Sequence, residues 1–81
     1  MIEAQELKTL IGKRIAYMRK LKNYTQEQFA ELCNISISSL AAIERGVSYP
    51  KGNTLIKFMK ILSFQKIQLY TKDAFWKEIS Q

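Results

Sequence analysis

The chain has 81 residues, 47% of them hydrophobic, and its 13 Lys and Arg against seven Asp and Glu give a formal net charge of +6. This length allows one small core and excludes a deep cleft between two domains. Histidine is absent and cysteine occurs once, at Cys33, so an intrachain disulfide, a histidine metal site and a histidine-dependent catalytic triad are also excluded.

The composition also limits the compartment and the partners. A lone cysteine in a short chain without a signal peptide predicts a protein of the reducing cytoplasm. The apolar runs are only a few residues long, far short of the ~20 residues that a membrane span needs. Positive charge on a hydrophobic, globular chain leaves nucleic acid, an anionic membrane surface or an acidic protein as candidate partners. No cofactor is predicted.

The first predicted element is a helix over residues 6–22. Most of its Lys and Arg residues are expected to face solvent, and Asn23 suits the left-handed position that ends many helices. The apolar residues recur at the helical period and form one stripe, which consists of Leu7, Leu10, Ile11, Ile15, Met18 and Leu21.

Two short helices are predicted next. Thr25 and Gln28 form a capping box that begins the second helix. Asn34 suits a tight left-handed turn, and Ser36 caps a third helix that ends at Gly46. Because the two caps are eleven positions apart, the helices are short, the link between them has about three residues, and the pair must cross steeply, as in a helix-turn-helix. The inward residues of the second helix are Phe29, Ala30 and Cys33.

The chain is expected to end in a fourth helix and one strand. A loop over residues 48–53 precedes a helix over 54–62, which has apolar residues on one face. From Lys66 onward apolar and polar residues alternate, which predicts a strand over 65–71. The predicted organisation is therefore a helix-turn-helix domain over 6–63 and a C-terminal segment over 64–81, comprising the strand and a short helix or tail, for dimerisation or partner contact.

A specific pattern runs through the second and third helices. Ala30 is small, as it must be where the next helix crosses, and Asn34 tolerates a left-handed turn. Three apolar residues hold the third helix on the second. The whole pattern consists of Gln26, Ala30, Asn34, Ile35, Leu40 and Ile43, followed by Glu44, Arg45 and Gly46.

With this pattern, residues 11–62 resemble the phage-repressor type of helix-turn-helix domain, the XRE family. The resemblance implies a mainly α, lambda-repressor-like fold of four to five helices that binds an operator in double-stranded DNA as a homodimer and represses transcription. Residues 37–44 would be the recognition helix in the major groove.

The resemblance also implies individual DNA contacts. Gln26 matches the glutamine that contacts phosphate at the start of the second helix, beside its cap Thr25. Ser36, Ser38 and Ser39 could hydrogen-bond to base edges, whereas Ile37 and Ala42 could contact only thymine methyl groups. Arg45 and Lys51 suit phosphates where the chain leaves the groove. The alternatives are capping or solvent contact for the serines and solvated charge for Arg45 and Lys51.

Arg19 and Glu44 match an ion pair of the family. The pair would fix the third helix relative to the first. The alternative is that both side chains are solvated. Leu32 occupies a position that usually faces solvent. Its apolar side chain is therefore either exposed incidentally or part of a surface that binds a partner.

The strand after the fourth helix is similar to that of HipB-type antitoxins, in which it pairs between two subunits. This second resemblance covers residues 54–73 and implies autoregulation together with the binding of a toxin protein, often of a kinase-like type. Dimerisation would then use Phe64, Ile67 and Leu69, joined by Trp76.

The other alternative to a DNA-binding repressor is a basic domain that no longer binds DNA and mediates only protein contacts. An enzyme is not predicted, because the sequence offers no nucleophile–base pair or carboxylate pair.

Overall fold

The computed structural model describes residues 3–63, which contain four helices: α1 (Ala4–Leu21), α2 (Gln26–Cys33), α3 (Ile37–Glu44) and α4 (Gly52–Leu62). The mainly helical fold predicted from the sequence is confirmed over this part of the chain. The predicted strand over 65–71, the helical turn after it and the residues assigned to dimerisation lie outside the described residues. Within residues 3–63, no helix combines the length and the apolar character that crossing a bilayer requires.

Helix α1 is longer than its partners and differs from its predicted pattern at two positions. It begins at Ala4, two residues before the predicted start. Leu21, predicted to face the core, is 57% exposed, because it is the last residue of α1 and lies almost one turn beyond Met18, the last buried apolar residue of the stripe. Arg14, placed off the stripe by the periodicity, is only 2% exposed. The buried face of α1 is therefore centred on Ile11 and Ile15.

The turn between α2 and α3 forms as predicted. Both halves of the capping box are present, since the Thr25 hydroxyl accepts from the Gln28 backbone N–H and the Gln28 side chain accepts from that of Thr25. Asn34 is left-handed, with φ of 56°. The Ser36 hydroxyl caps α3 by accepting from the Ser39 N–H at 3.0 Å. Local sequence signals thus determine where both helices begin and where α2 ends.

The end of α3 and the start of α4 also have local causes. Val47 N–H donates to the Ala42 carbonyl and Gly46 N–H to that of Ile43, a Schellman motif with Gly46 at φ of +79°. Helix α4 begins at Gly52, two residues before the predicted start, because extended Lys51 serves as its N-cap. The Asn53 side chain accepts from the Thr54 N–H at 2.9 Å. Ser63 ends the helix in the left-handed conformation.

The core lies where the four helices meet. The Phe29 and Phe58 rings, both fully buried, have centroids 5.1 Å apart and join α2 to α4. Gly12 allows α1 to approach α3 closely, since a Cβ there would lie 2.7 Å from the Glu44 carbonyl oxygen. Cys33 is buried within the same core, and burial raises the pKa of its thiol to about 11. It is a small core residue, as its predicted inward position indicated.

Candidate nucleic-acid interface

Helix α3 presents its first turn to solvent. Leu40 and Ile43 are buried against the core, so the face opposite to them is directed outward. The residues assigned to DNA contact lie on that side: Ser36, Ile37, Ser38 and Ser39 are exposed and Ala42 is half-buried. The packing of α3 therefore leaves a mixed polar and apolar face available to a partner.

The serines of this turn are hydrogen-bonded to one another. The Ser36 hydroxyl donates to the Ser39 hydroxyl at 2.8 Å and lies 3.2 Å from that of Ser38. The Ser36 oxygen also caps the helix. Its role is therefore the capping that the sequence offered as the alternative to DNA contact. Ser39 accepts from Ser36 and keeps its own hydroxyl hydrogen for donation. Ser38 and Ser39 are thus the hydroxyl groups best placed for a base edge.

An open surface cavity of about 530 Å³ separates α3 from the start of α4. Four of the predicted residues line it, namely Ser38, Ser39, Ala42 and Lys51. The structure adds Ser48, Tyr49, Asn53 and Thr54, which no sequence pattern had indicated as part of the site. Asn53 and Thr54 lie in the first turn of α4. The start of a helix is a common site of phosphate contact, and this is the signal that could have indicated them. The other five predicted residues, Thr25, Gln26, Ser36, Ile37 and Arg45, are not among the lining residues.

Two exposed cations flank this face. Arg45 is the C-cap residue of α3 and Lys51 is the N-cap residue of α4. Both side chains are exposed, and neither makes an ion pair among the described residues. A cation at each end of the loop between α3 and α4 produces a positive border beside the outward face of α3.

The start of α2 is connected to the end of α3 through Gln26. Its side-chain amide donates to Glu44 Oε1 at 3.0 Å, while neighbouring Thr25 is occupied with its capping box. An amide group has two N–H donors, so one N–H of half-buried Gln26 remains for a partner. The sequence assigned Gln26 to phosphate contact and did not anticipate the bond to Glu44.

The expected ion pair between Arg19 and Glu44 is present and bidentate. Arg19 Nε lies 2.7 Å from Glu44 Oε2, and Nη2 lies 3.0 Å from Oε1. The third donor, Nη1, reaches the Tyr24 carbonyl at 2.7 Å. The two side chains are only 8% and 6% exposed. Because Glu44 also accepts from Gln26, this group joins α1, the start of α2 and the end of α3.

The sequence model of a helix-turn-helix family matches residues 15–64, more than half of the chain. The chain belongs to this family, which is of the XRE type. It is 41% identical over 58 residues to YazB of Bacillus subtilis strain 168, an uncharacterised HTH-type transcriptional regulator; the match covers 72% of this chain and 84% of YazB. It is 33% identical over 63 residues to ImmR of the same strain, another HTH-type transcriptional regulator; that match covers 78% of this chain and 50% of ImmR.

Membership explains the arrangement of α2 and α3. The matched range includes both helices and the turn between them, and the family is one of DNA-binding transcriptional regulators. The outward face of α3 and the start of α2 are therefore the parts of this chain to test for contact with DNA.

Proposed function

We propose that this helix-turn-helix regulator is a sequence-specific, dimeric repressor that inserts α3 into the major groove of an operator. The observation that carries the proposal is the outward first turn of α3, bordered by the exposed cations Arg45 and Lys51, which make no ion pair within residues 3–63. A helix of this diameter fits the major groove, and flanking cations suit the phosphates on either side. Double-stranded DNA is then the partner, in the cytoplasm.

The contacts divide into phosphate contacts and base contacts. The free N–H of Gln26 and the side chains of Arg45 and Lys51 bind phosphates, which set affinity and position. Ser39 donates to a base edge, whereas Ser38, whose hydroxyl hydrogen is directed to Ser36, accepts from one. The apolar pair Ile37 and Ala42 contacts thymine methyl groups. With so few hydrogen-bonding side chains on α3, part of the selectivity comes from the shape of the DNA.

Dimerisation is assigned to the C-terminal segment. A strand over 65–71 would pair with its own copy about a two-fold axis, with Phe64, Ile67, Leu69 and Trp76 against the helices. Leu69→Pro removes a ladder donor and a core side chain together. We expect a folded, monomeric protein with much weaker operator affinity, measured by sedimentation at micromolar concentration. A variant that stays fully dimeric would point to a helix-mediated interface.

The DNA contacts are tested by titrating the protein with its own promoter fragment at increasing salt. Each phosphate contact adds ~0.9 to the slope of log affinity against log salt concentration. We expect Lys51→Ala in a dimer to lower that slope by ~1.8, because each of two subunits loses one contact. Lys60→Ala is the matched control, since Lys60 is an exposed lysine in the last turn of the same helix.

Two results would contradict the proposal. One is a salt response that is flat for the unaltered protein, or an absence of binding to any promoter fragment. The other is an equal loss of slope for Lys51→Ala and Lys60→Ala, which would mean that overall charge matters and the position of Lys51 does not.

A further inference from the structure

The loop between α3 and α4 has little hydrogen bonding of its own. After the Schellman motif that ends with Val47, none of the backbone N–H groups of Ser48, Tyr49 and Lys51 donates to a backbone carbonyl within residues 3–63. The side chains of Val47, Ser48 and Tyr49 are exposed. A segment of this kind is expected to be conformationally free unless other parts of the molecule hold it.

The first two turns of α1 supply the connections that the loop lacks. Gln5 Nε2 donates to the Gly46 carbonyl at 3.0 Å, and the Tyr49 hydroxyl donates to the Ala4 carbonyl at 3.2 Å. The Lys8 ammonium lies 5.5 Å from the centroid of the Tyr49 ring, within the range of a cation–π interaction. These contacts join positions more than 40 residues apart in the chain.

Close packing supports the same attachment. Gly46 lies so near α1 that a Cβ on it would be 2.8 Å from the Thr9 Cα. The two sides therefore fit together with no room for a side chain at Gly46. In contrast, residues 4–6 are exposed and residues 7–10 are only half-buried. Among the described residues, the hydrogen bonds that Ala4, Gln5 and Thr9 make through a side chain outside their own helix all go to the loop, at Gly46 and Tyr49.

We propose that Gln5 and Tyr49 are positioning residues, which attach the loop to α1 and thereby fix where Arg45 and Lys51 present their charges to DNA. The inference rests on the proposed function, because it assigns a purpose to the two cations at the ends of this loop. A loop that is already ordered loses less conformational freedom on binding. Neither Gln5 nor Tyr49 needs to contact DNA for this effect.

The test uses the double variant Gln5→Met/Tyr49→Phe, which removes both hydrogen bonds to the loop, keeps the side-chain sizes and leaves the net charge unchanged. Within α1 it also removes the long, exposed contact of 3.4 Å from Gln5 to the Thr9 hydroxyl. We expect operator affinity to fall about tenfold and the salt slope to decrease by about one, because the phosphate contacts are formed less completely. The thermal unfolding midpoint should change little. Tyr24→Phe is the matched control, since the Tyr24 hydroxyl makes no hydrogen bond among the described residues.

A variant that already lacks the two cations separates an effect on their position from a general loss of structure. In the Arg45→Ala/Lys51→Ala protein, adding Gln5→Met/Tyr49→Phe should cause no further loss of affinity, since the two cations to be positioned are gone. An equal loss in both backgrounds, or no loss in either, would overturn the proposal.

A measurement without DNA distinguishes failure of this inference from failure of the proposed function. NMR order parameters of the backbone N–H groups of Ser48, Tyr49 and Lys51 should fall in Gln5→Met/Tyr49→Phe and stay unchanged in Tyr24→Phe. If the unaltered protein binds no DNA, the assignment of Arg45 and Lys51 fails together with the proposed function. Order parameters that do not change would overturn the attachment itself, whatever the result with DNA.

Discussion

Single side chains hold the helices of this domain at fixed distances. Glu44 accepts hydrogen bonds from Arg19 of α1 and Gln26 of α2, so one carboxylate at the end of α3 joins three helices. Gly12 acts through the absence of a side chain, which lets α1 approach the Ile43 and Glu44 carbonyls closely. Both residues determine how α3 is placed, and through that placement which of its side chains reach solvent.

We expect Arg19→Ala and Glu44→Ala each to destabilise the fold by about 3 kcal/mol, because each leaves a nearly buried partner uncompensated. The double variant should lose less than the sum of the two. A double-mutant cycle in chemical denaturation measures the difference. Strictly additive losses would mean that the ion pair contributes nothing as a pair.

Gly12→Ala should destabilise the fold by roughly 1–3 kcal/mol, because the new methyl group would overlap the backbone of α3 and force the helices apart. Gly52→Ala is the matched control. A Cβ at Gly52 meets nothing within 4 Å, so this change should be neutral or stabilise by up to about 1 kcal/mol. Equal effects of the two substitutions in urea denaturation would show that close approach of α1 and α3 is unimportant.

At the scale of the elements, the helices divide into two kinds. α2 and α3 have eight residues each and are delimited by side-chain caps at Thr25 and Ser36. α1 and α4 begin without a side-chain cap bond from their N-cap residues. Because isolated helices of eight residues are unstable in water, the short pair depends on its caps and on packing against the longer helices.

Thr25→Ala and Ser36→Ala should each cost about 1 kcal/mol, because each leaves a backbone N–H at a helix start without its acceptor. Thr25→Ser and Ser36→Thr keep the hydroxyl and should restore most of that stability. The free energy of unfolding of the four variants provides the comparison. If serine at position 25 were as damaging as alanine, methyl packing would be responsible and the cap bond would not.

At the scale of the whole molecule, one core serves all four helices. Ile11 and Ile15 come from α1, Phe29 from α2, Leu40 from α3 and Phe58 from α4, and each is at most 1% exposed. The surface that faces a partner is thus supported from behind by a single packed cluster. We expect the described part of the chain to unfold in one cooperative transition.

Phe58→Ala tests the shared core. Removing a fully buried ring costs about 3–5 kcal/mol, a large share of the ~5–15 kcal/mol that stabilises a typical domain. We expect the midpoint of unfolding to move to a much lower denaturant concentration, by the same amount for every spectroscopic probe. Ile56→Ala, two positions away and on the exposed face of α4, should change the stability by less than about 0.5 kcal/mol. Separate transitions for different helices in Phe58→Ala would contradict a common core.

The sequence alone determined the features that arise from neighbouring residues. The caps at Thr25 and Ser36, the left-handed Asn34 and the glycine end of α3 involve groups within about five positions of one another. Such bonds form between the same groups wherever the segment lies in the fold, so reading the chain locally is sufficient. The apolar periods identified most of the core for the same reason.

Tertiary structure alone decided which distant residues meet. The burial of Arg14, the bond of Gln26 to Glu44 and the attachment of the loop to Gln5 depend on how the helices pack against one another. No local pattern encodes that packing, which also leaves Leu21 exposed. The physical reason is that each helix fixes its own period and ends, whereas packing of the shared core fixes the relative positions of the helices.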